Sequence, residues 1–443
     1  MANQPRVVVV GGGFGGLAVA KSLRSVPVEV TLLDRRNYHL FQPLLYQVAT
    51  GVLSPANIAS PLRGILRHQR NCRVLMAEAV DFDLTERKVI LQDGEPISYD
   101  WLIVAGGATH GYFGRDEWAE FAPGLKTIED ATEIRKRILF AFEAAECEPD
   151  PQRQRAWLTF VIVGGGPTGV ELAGALSDIA HYTLRNDFRS IRSSEARILL
   201  IEASKYPLDM YSDDLPKRSL DALIKLHVEV RTLTKAVDIQ DGYVVLEHDG
   251  KRETIETETI VWAAGVKASP LAAKLAAASG LATDRAGRIA VGPDLTLAGF
   301  PQVMVIGDMA IATQAGKPLP GLAPVAMQQG RYAARRIEDR LANRKTPEFH
   351  YRDRGTMAVI GRYRAIAQVG ERKFFGLFAW LMWLVIHIVE ITQFRNRVLV
   401  FTQWGWTFFT RDRSARLITG ETDPRLPEPK RSQPHSATNA STS

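Results

Sequence analysis

Arg6–Leu17 reads RVVVVGGGFGGL, and Thr159–Ser177 reads TFVIVGGGPTGVELAGALS. Each joins an apolar run of strand length to a glycine cluster and then to an Ala/Leu/Val-rich helical pattern. A strand that turns through glycines into a helix opens a β–turn–α unit, and two copies indicate an α/β chain with two parallel sheets. Further apolar runs of strand length, at Val28–Leu33, Trp101–Ala105, Arg197–Ile201, Ile260–Ala264 and Val303–Ile306, extend the same plan. The stretch CEPDPQRQR, with Pro149 and Pro151, reads as a linker between the copies.

A lone GxGxxG is weak, but here it occurs twice, each time after a strand and before a helix, which is the context the motif requires. In the first copy Gly11 permits the tight turn, Gly13 lets backbone approach a pyrophosphate, and Gly16 lets the helix pack on the strand. Phe14 and Gly15 complete the loop at the helix N-terminus, whose free N–H groups and dipole favour phosphate. Asp34 closes VEVTLLD, 23 residues after Gly11, where an acid holds a ribose diol, and Arg35 follows it. The second copy supplies Gly164, Gly166, Thr168 and Gly169, with Glu202 closing RILLIE. Glu202 lies 38 residues after Gly164, so a longer helix and loop must intervene. An acid there repels a 2′-phosphate and favours NADH over NADPH, with Lys205 as a counterweight. Two dinucleotide folds in one chain imply an electron relay: a tightly held flavin, FAD, and an exchanging nicotinamide, NADH.

With 443 residues, two to three domains are expected. The net charge of +6 suits either nucleic acid or an anionic lipid surface. Only Cys72 and Cys147 are present, without CxxC spacing, so neither a metal site nor a dithiol relay is expected, and nothing recommends a disulfide between them. Val7–Val10 already reads as strand, leaving no room for a signal peptide.

The glycine motifs together with FQPLLYQVATG (Phe41–Gly51), VWAAGVKASP (Val261–Pro270), VIGDMA (Val305–Ala310) and PLPGLAPVAMQQG (Pro318–Gly330) resemble the type II NADH:quinone oxidoreductases over roughly residues 5–415. The resemblance implies a respiratory-chain enzyme passing electrons from NADH through FAD to a membrane quinone, ubiquinone or menaquinone, without pumping protons. It implies that Asp308 binds the ribityl and pyrophosphate region, that Ala326 at a helix start faces the flavin, and that Gln328 and Gln329 meet quinone at the flavin face. Glu171, two residues past the third glycine, would stand near nicotinamide and flavin and orient NADH or pass protons to quinone; a structural first-turn acid is the other reading. Ala79 would touch adenine, Gly265 would lie at NADH, and Leu44, Leu45 and Thr50 are flavin contacts or core. The implied layout is an FAD-binding domain at 1–113 and 290–345, an inserted NADH-binding domain at 114–289, a membrane-associating or dimerising region at 346–420, and a disordered tail at 421–443.

FFGLFAWLMWLVIHIVEI (Phe374–Ile391) is a borderline membrane span by length. Trp380, Trp383, His387 and Glu390 recur at helical spacing, so one polar stripe is expected on an amphipathic helix lying in the interface. Four of the eight tryptophans (380, 383, 404 and 406) lie here, flanked by Arg362, Arg364, Arg372, Lys373, Arg395, Arg397, Arg411, Arg413 and Arg416. That clustering points to lipid rather than nucleic acid, on the cytoplasmic face of the inner membrane. The same apolar helix suits a homodimer, and the two are compatible. Sulfide:quinone oxidoreductase is a competing reading that needs cysteines at the flavin. A soluble ferredoxin reductase leaves the tryptophan-rich end unexplained, and a flavin-dependent binding protein differs in lacking quinone turnover.

Overall fold

The computed structural model describes residues 4–419 except 213 and 414, so the expected tail at 421–443 lies outside the described residues. Arg6–Val10 sits inside a six-stranded sheet in the order Thr296–Leu297, Phe300–Val305, Trp101–Val104, Arg6–Val10, Glu29–Asp34, Cys72–Met76. Every neighbouring pair is parallel except the first. Val7 to Val10 are all buried, as a strand covered on both faces requires. A second, wholly parallel sheet runs Val228–Arg231, Arg197–Ile201, Thr159–Val163, Thr259–Trp262.

Phe300–Val305 returns from far along the chain to complete the first sheet, and the second sheet is made entirely of residues between. An antiparallel ribbon, Ala108–His110 against Val266–Ala268, carries the chain out of one unit and back. The second glycine-motif unit is thus inserted in the first. The stretch read as a linker is instead a helix, Pro151–Trp157. Asp150 caps it through the N–H groups of Gln152 and Arg153, and Pro151 takes the first turn. Asp followed by Pro starts a helix as readily as it marks a loop. Cys72 and Cys147 are free thiols.

The C-terminal region corrects several expectations. Three antiparallel strands, Thr356–Gly361, Arg364–Val369 and Arg372–Gly376, precede helices Leu377–Glu390 and Phe394–Thr410. Phe374 and Phe375 therefore belong to a strand, and the apolar stretch breaks at Gly376, whose φ of +79° and ψ of −142° favour glycine. The remaining 14-residue helix is about 21 Å long against a hydrocarbon core of about 30 Å. Among the described residues no helix is long and apolar enough to cross a membrane.

The aromatic stripe faces inward for most of its length. Trp383 is buried and stacks on His387 with ring centroids 4.2 Å apart; Trp404 lies 5.3 Å from Trp383, and Phe41 meets His387 edge-on at 6.1 Å. These rings have partners on the sister helix and the Phe41–Gly51 segment, so the aliphatic face is left uncovered. Leu377, Phe378, Leu381, Val385, Ile386 and Val389 are exposed. Of the four tryptophans expected at an interface, Trp406 alone is exposed. Arg413 is also inward, 3% exposed, donating to the Thr50 and Ala175 carbonyls and pairing with Asp178 at 2.7 Å. Arg416 pairs with Asp187.

Candidate functional site

The two glycine clusters are built alike. A Cβ on Gly11 would stand 2.3 Å from the Ala105 carbonyl oxygen, and one on Gly164 2.6 Å from Ala263 backbone. A Cβ on Gly16 or Gly169 would lie 1.8 Å from the carbonyl oxygen of Gly11 or Gly164 respectively. Close packing therefore fixes the first and third glycines. At Gly13 and Gly166 a Cβ would meet nothing within 4 Å. The fold itself makes no demand there, and the open space before the helices Phe14–Ser22 and Pro167–Asp178 fits the pyrophosphates of FAD and NADH.

The acids are equivalent too. Asp34 accepts from Gly12 N (2.6 Å) and Arg36 N (2.7 Å), and Glu202 from Gly165 N (2.7 Å) and Ser204 N (2.6 Å). Burial pushes the Asp34 carboxyl up, opposed by these backbone donors. The 38-residue offset of Glu202 is filled by a π-turn, Ile179–Thr183, and a loop carrying a short helix, Ser193–Glu195. Thr168 is half-buried in the first helical turn, and Gly265 lies against the Gly111 carbonyl and the Phe113 ring. Arg35 reaches Glu78 at 4.0 Å, next in sequence to buried Ala79.

Two distant segments converge on the first glycine loop. A Cβ on Gly15 would meet Ala326 O at 3.4 Å, one on Gly307 would meet Ala326 Cβ at 3.5 Å, and one on Gly330 would meet Gly15 O at 2.4 Å. The start of helix Ala323–Leu341, the Gly307–Asp308 turn and the glycine loop thus surround one space. Gln329 is 1% exposed and its Oε1 accepts from Gly307 N at 2.7 Å, bracing the turn that carries Asp308. Gln328 makes two bonds to Arg352 backbone, at 2.9 and 3.0 Å, tying the helix to the segment before the C-terminal sheet. Both amides are engaged with backbone. Leu44, Leu45 and Thr50 are buried.

Glu171 stands on helix Pro167–Asp178, half-buried, with Oε1 accepting from Val359 N at 3.3 Å. Burial pushes its carboxyl up to about 8, against the single opposing hydrogen bond. Two buried tyrosines, Tyr46 and Tyr211, are pushed up by burial and by Glu171. The carboxyl is therefore the shared neighbour of the second glycine-motif helix, the Phe41–Gly51 segment and the C-terminal sheet.

Sequence reasoning missed Tyr46, Tyr211 and Lys126. Lys126 is held low by burial, with Asp308 the charge opposing that shift. Its one sequence signal is the adjoining capping box of Thr127 and Asp130, which orders the backbone without aiming the side chain. The tyrosines carry no local signal.

Residues 5–330 match the Pyridine nucleotide-disulphide oxidoreductase family, and residues 354–412 match the NDH2 C-terminal domain. NdhA of Mycobacterium tuberculosis, a type II NADH:quinone oxidoreductase, is 47% identical over 95% of this chain and 91% of that relative. The external NADH-ubiquinone oxidoreductase 2 of Saccharomyces cerevisiae mitochondria is 30% identical over 92% of this chain and 81% of its own length. The fold is similar to NDH2 of Plasmodium falciparum in complex with NADH, with a TM-score of 0.85, 19% identity, and coverage of 94% and 100% of the two chains.

Proposed function

The chain belongs to the type II NADH:quinone oxidoreductases, and from that premise we propose which of its residues carry the reaction. It is an FAD-dependent enzyme that converts NADH, a proton and quinone to NAD⁺ and quinol. FAD, when bound, supplies the two-electron relay between substrates that never meet. Gly11, Gly13, Phe14, Gly15, Gly16, Asp34, Arg35, Ala79, Asp308 and Ala326 hold it. Gly164, Gly166, Thr168, Gly169, Glu202 and Gly265 hold NADH, and open space over Gly13 and Gly166 supports both assignments.

Glu171 is the proton donor to the quinone side. The observation that carries this reading is a carboxyl pushed up to about 8 at the meeting point of the NADH helix and the C-terminal sheet. It is protonated at neutral pH, as a general acid must be. Gln329 acts through Gly307 by fixing the Asp308 turn, and Gln328 by fixing the Arg352 segment. With their oxygens held by backbone, both amides can still meet a quinone oxygen through the N–H hydrogens those bonds leave over.

The C-terminal helices rest on lipid. Their outer face exposes six large apolar residues on the first helix, together with Phe394 (77%), Phe401, Trp406 and Phe409 (84%) on the second. Exposed Arg372, Lys373 and Arg395 border it, an arrangement that suits anionic headgroups better than a second copy of the chain. The nucleotide sites then lie in the cytoplasm, where NADH is. The test is NADH oxidation by purified, FAD-loaded protein with and without a soluble quinone, alongside cosedimentation with anionic vesicles. Turnover no higher with quinone than with oxygen alone removes the enzymatic reading. Sedimentation unchanged in a Phe394→Ser/Phe409→Ser variant removes the lipid face.

A further inference from the structure

Phe113 is out of place by two ordinary criteria. Its side chain is 76% exposed, and among the described residues before Leu377 no large apolar side chain is more so. Its backbone is also left-handed, at φ +53°, a region that a bulky residue occupies only at a cost. Neither burial nor backbone preference accounts for a phenylalanine there. What surrounds the ring is rigid. Trp262, itself buried, donates its indole N–H to the Gly111 carbonyl at 3.0 Å and stacks on Tyr112 with centroids 5.1 Å apart. The Phe113 ring meets Trp262 edge-on at 5.8 Å, and a Cβ on Gly265 would stand 3.0 Å from the same ring. An exposed aromatic surface is thus held firmly beside the loop that leaves strand Thr259–Trp262.

The order of strands decides which half of NADH reaches that loop. Thr159–Val163 is flanked on both sides, with Val163 level with Ile201 on one and Trp262 on the other. The glycine loop that follows Val163 therefore has an acid on one flank and the Ala263–Gly265 loop on the other. A Cβ on Gly165 would lie 2.6 Å from Glu202 Oε2, and one on Gly164 would lie 2.6 Å from Ala263 backbone. A dinucleotide whose adenosine ribose is held by the acid, and whose pyrophosphate crosses the glycine loop, must leave on the Gly265 flank. That flank also carries the ribbon Ala108–His110 against Val266–Ala268 back to the unit that binds FAD, and hydride transfer requires the nicotinamide to travel the same way.

We propose that Phe113 is a binding residue for the nicotinamide half of NADH. Its exposed ring, backed by Trp262, packs on the nicotinamide riboside and aims it at the flavin. Gly265 lacks a side chain that would push the ring aside. The proposal rests on reading the Gly164–Glu202 loop as the NADH site.

The experiment is calorimetric titration of the full-length, FAD-loaded enzyme with NAD⁺ and, separately, with ADP, alongside NADH turnover with a soluble quinone. ADP carries the adenosine and both phosphates but no nicotinamide, so it reports on the Glu202 flank alone. Phe113→Ala is expected to raise the Kd for NAD⁺ and the KM for NADH by about three- to tenfold, the worth of one aromatic contact. The Kd for ADP should not move, and kcat should stay within about twofold, since the contact is made before and during hydride transfer alike. Phe113→Leu, which keeps an apolar side chain without a ring, should behave as Phe113→Ala, and Phe113→Tyr should restore the parent values. FAD content and Tm check folding in each. Gly166→Ala, whose added methyl meets nothing in the fold, should weaken both ligands by intruding on the pyrophosphate. An NAD⁺ affinity unchanged in folded Phe113→Ala and Phe113→Leu overturns the proposal, and so does an equal loss for NAD⁺ and ADP. Gly166→Ala without effect on either ligand removes the nucleotide site itself, and the proposal with it.

Discussion

Replacing Glu171 with glutamine keeps the shape and removes the ionisation. In the folded chain this carboxyl titrates near 8 instead of an ordinary 4.5, because burial penalises its charged form. Between those two values the folded protein keeps a proton that the unfolded chain has released, so stability falls as pH rises across that window. The cost is absent below 4.5 and complete above 8. At about 1.4 kcal/mol per pH unit the ceiling is about 5 kcal/mol. The residue is only half-buried, so water relieves part of this, and about 2 kcal/mol is the working figure. Glu171→Gln should therefore gain on the parent by about 2 °C in Tm between pH 5 and pH 8.5. In stopped-flow measurements, flavin reduction by NADH should stay within about threefold, while reoxidation by quinone slows at least 100-fold, the usual worth of a general acid. The parent's quinone step should decline above pH 8. A Tm gap independent of pH, or a quinone step equal in parent and variant, would refute the reasoning.

The glycine positions separate binding from folding. Gly13→Ala should fold with nearly the parent Tm and purify with much less FAD, whereas Gly16→Ala should fail to fold stably, since its Cβ would lie 1.8 Å from Gly11 O; Tm and bound-flavin absorbance decide both. Gln329→Leu leaves the half-buried Gly307 N–H without its partner and should cost about 1–3 kcal/mol in unfolding free energy, with weaker FAD retention. His387 is pushed down to about 4 by burial, opposed by its bond to the Trp383 carbonyl, so its stabilising neutrality is complete above pH 6.5 and is lost as pH falls toward 4. Tryptophan fluorescence of the C-terminal helices should therefore change as pH falls to about 4 in the parent and stay flat in His387→Phe.

The local constraints were legible in the residues. The glycine turns, the strands they follow, and the acids Asp34 and Glu202 belong to single strand–turn–helix units, where spacing and backbone sterics leave few alternatives. Length alone indicated an added element before Glu202, and a π-turn and loop occupy it. The capped helix at Pro151 reads as a linker in the sequence because Asp-Pro signals serve both structures.

At the C-terminus the pattern fixed which residues share a helix face, but a period says nothing about which face meets a partner. Trp383 and His387 turned inward because Phe41 and Trp404 were waiting from other parts of the chain. Arg413 groups in the sequence with the lipid-facing cations but is a buried clamp, since Asp178 and the Thr50 carbonyl lie 235 and 363 residues earlier. The same is true of Glu171: the sequence identified an unusual acid beside a phosphate site. Its proton affinity was decided by the Val359 strand and by the removal of water around it. By itself the sequence determined the two nucleotide folds and the residues that make their turns, because those interactions close within a few tens of residues. Only the tertiary structure decided which charges are buried, which amides brace backbone and which apolar face stays open, because each of these depends on what a distant segment brings to the same place.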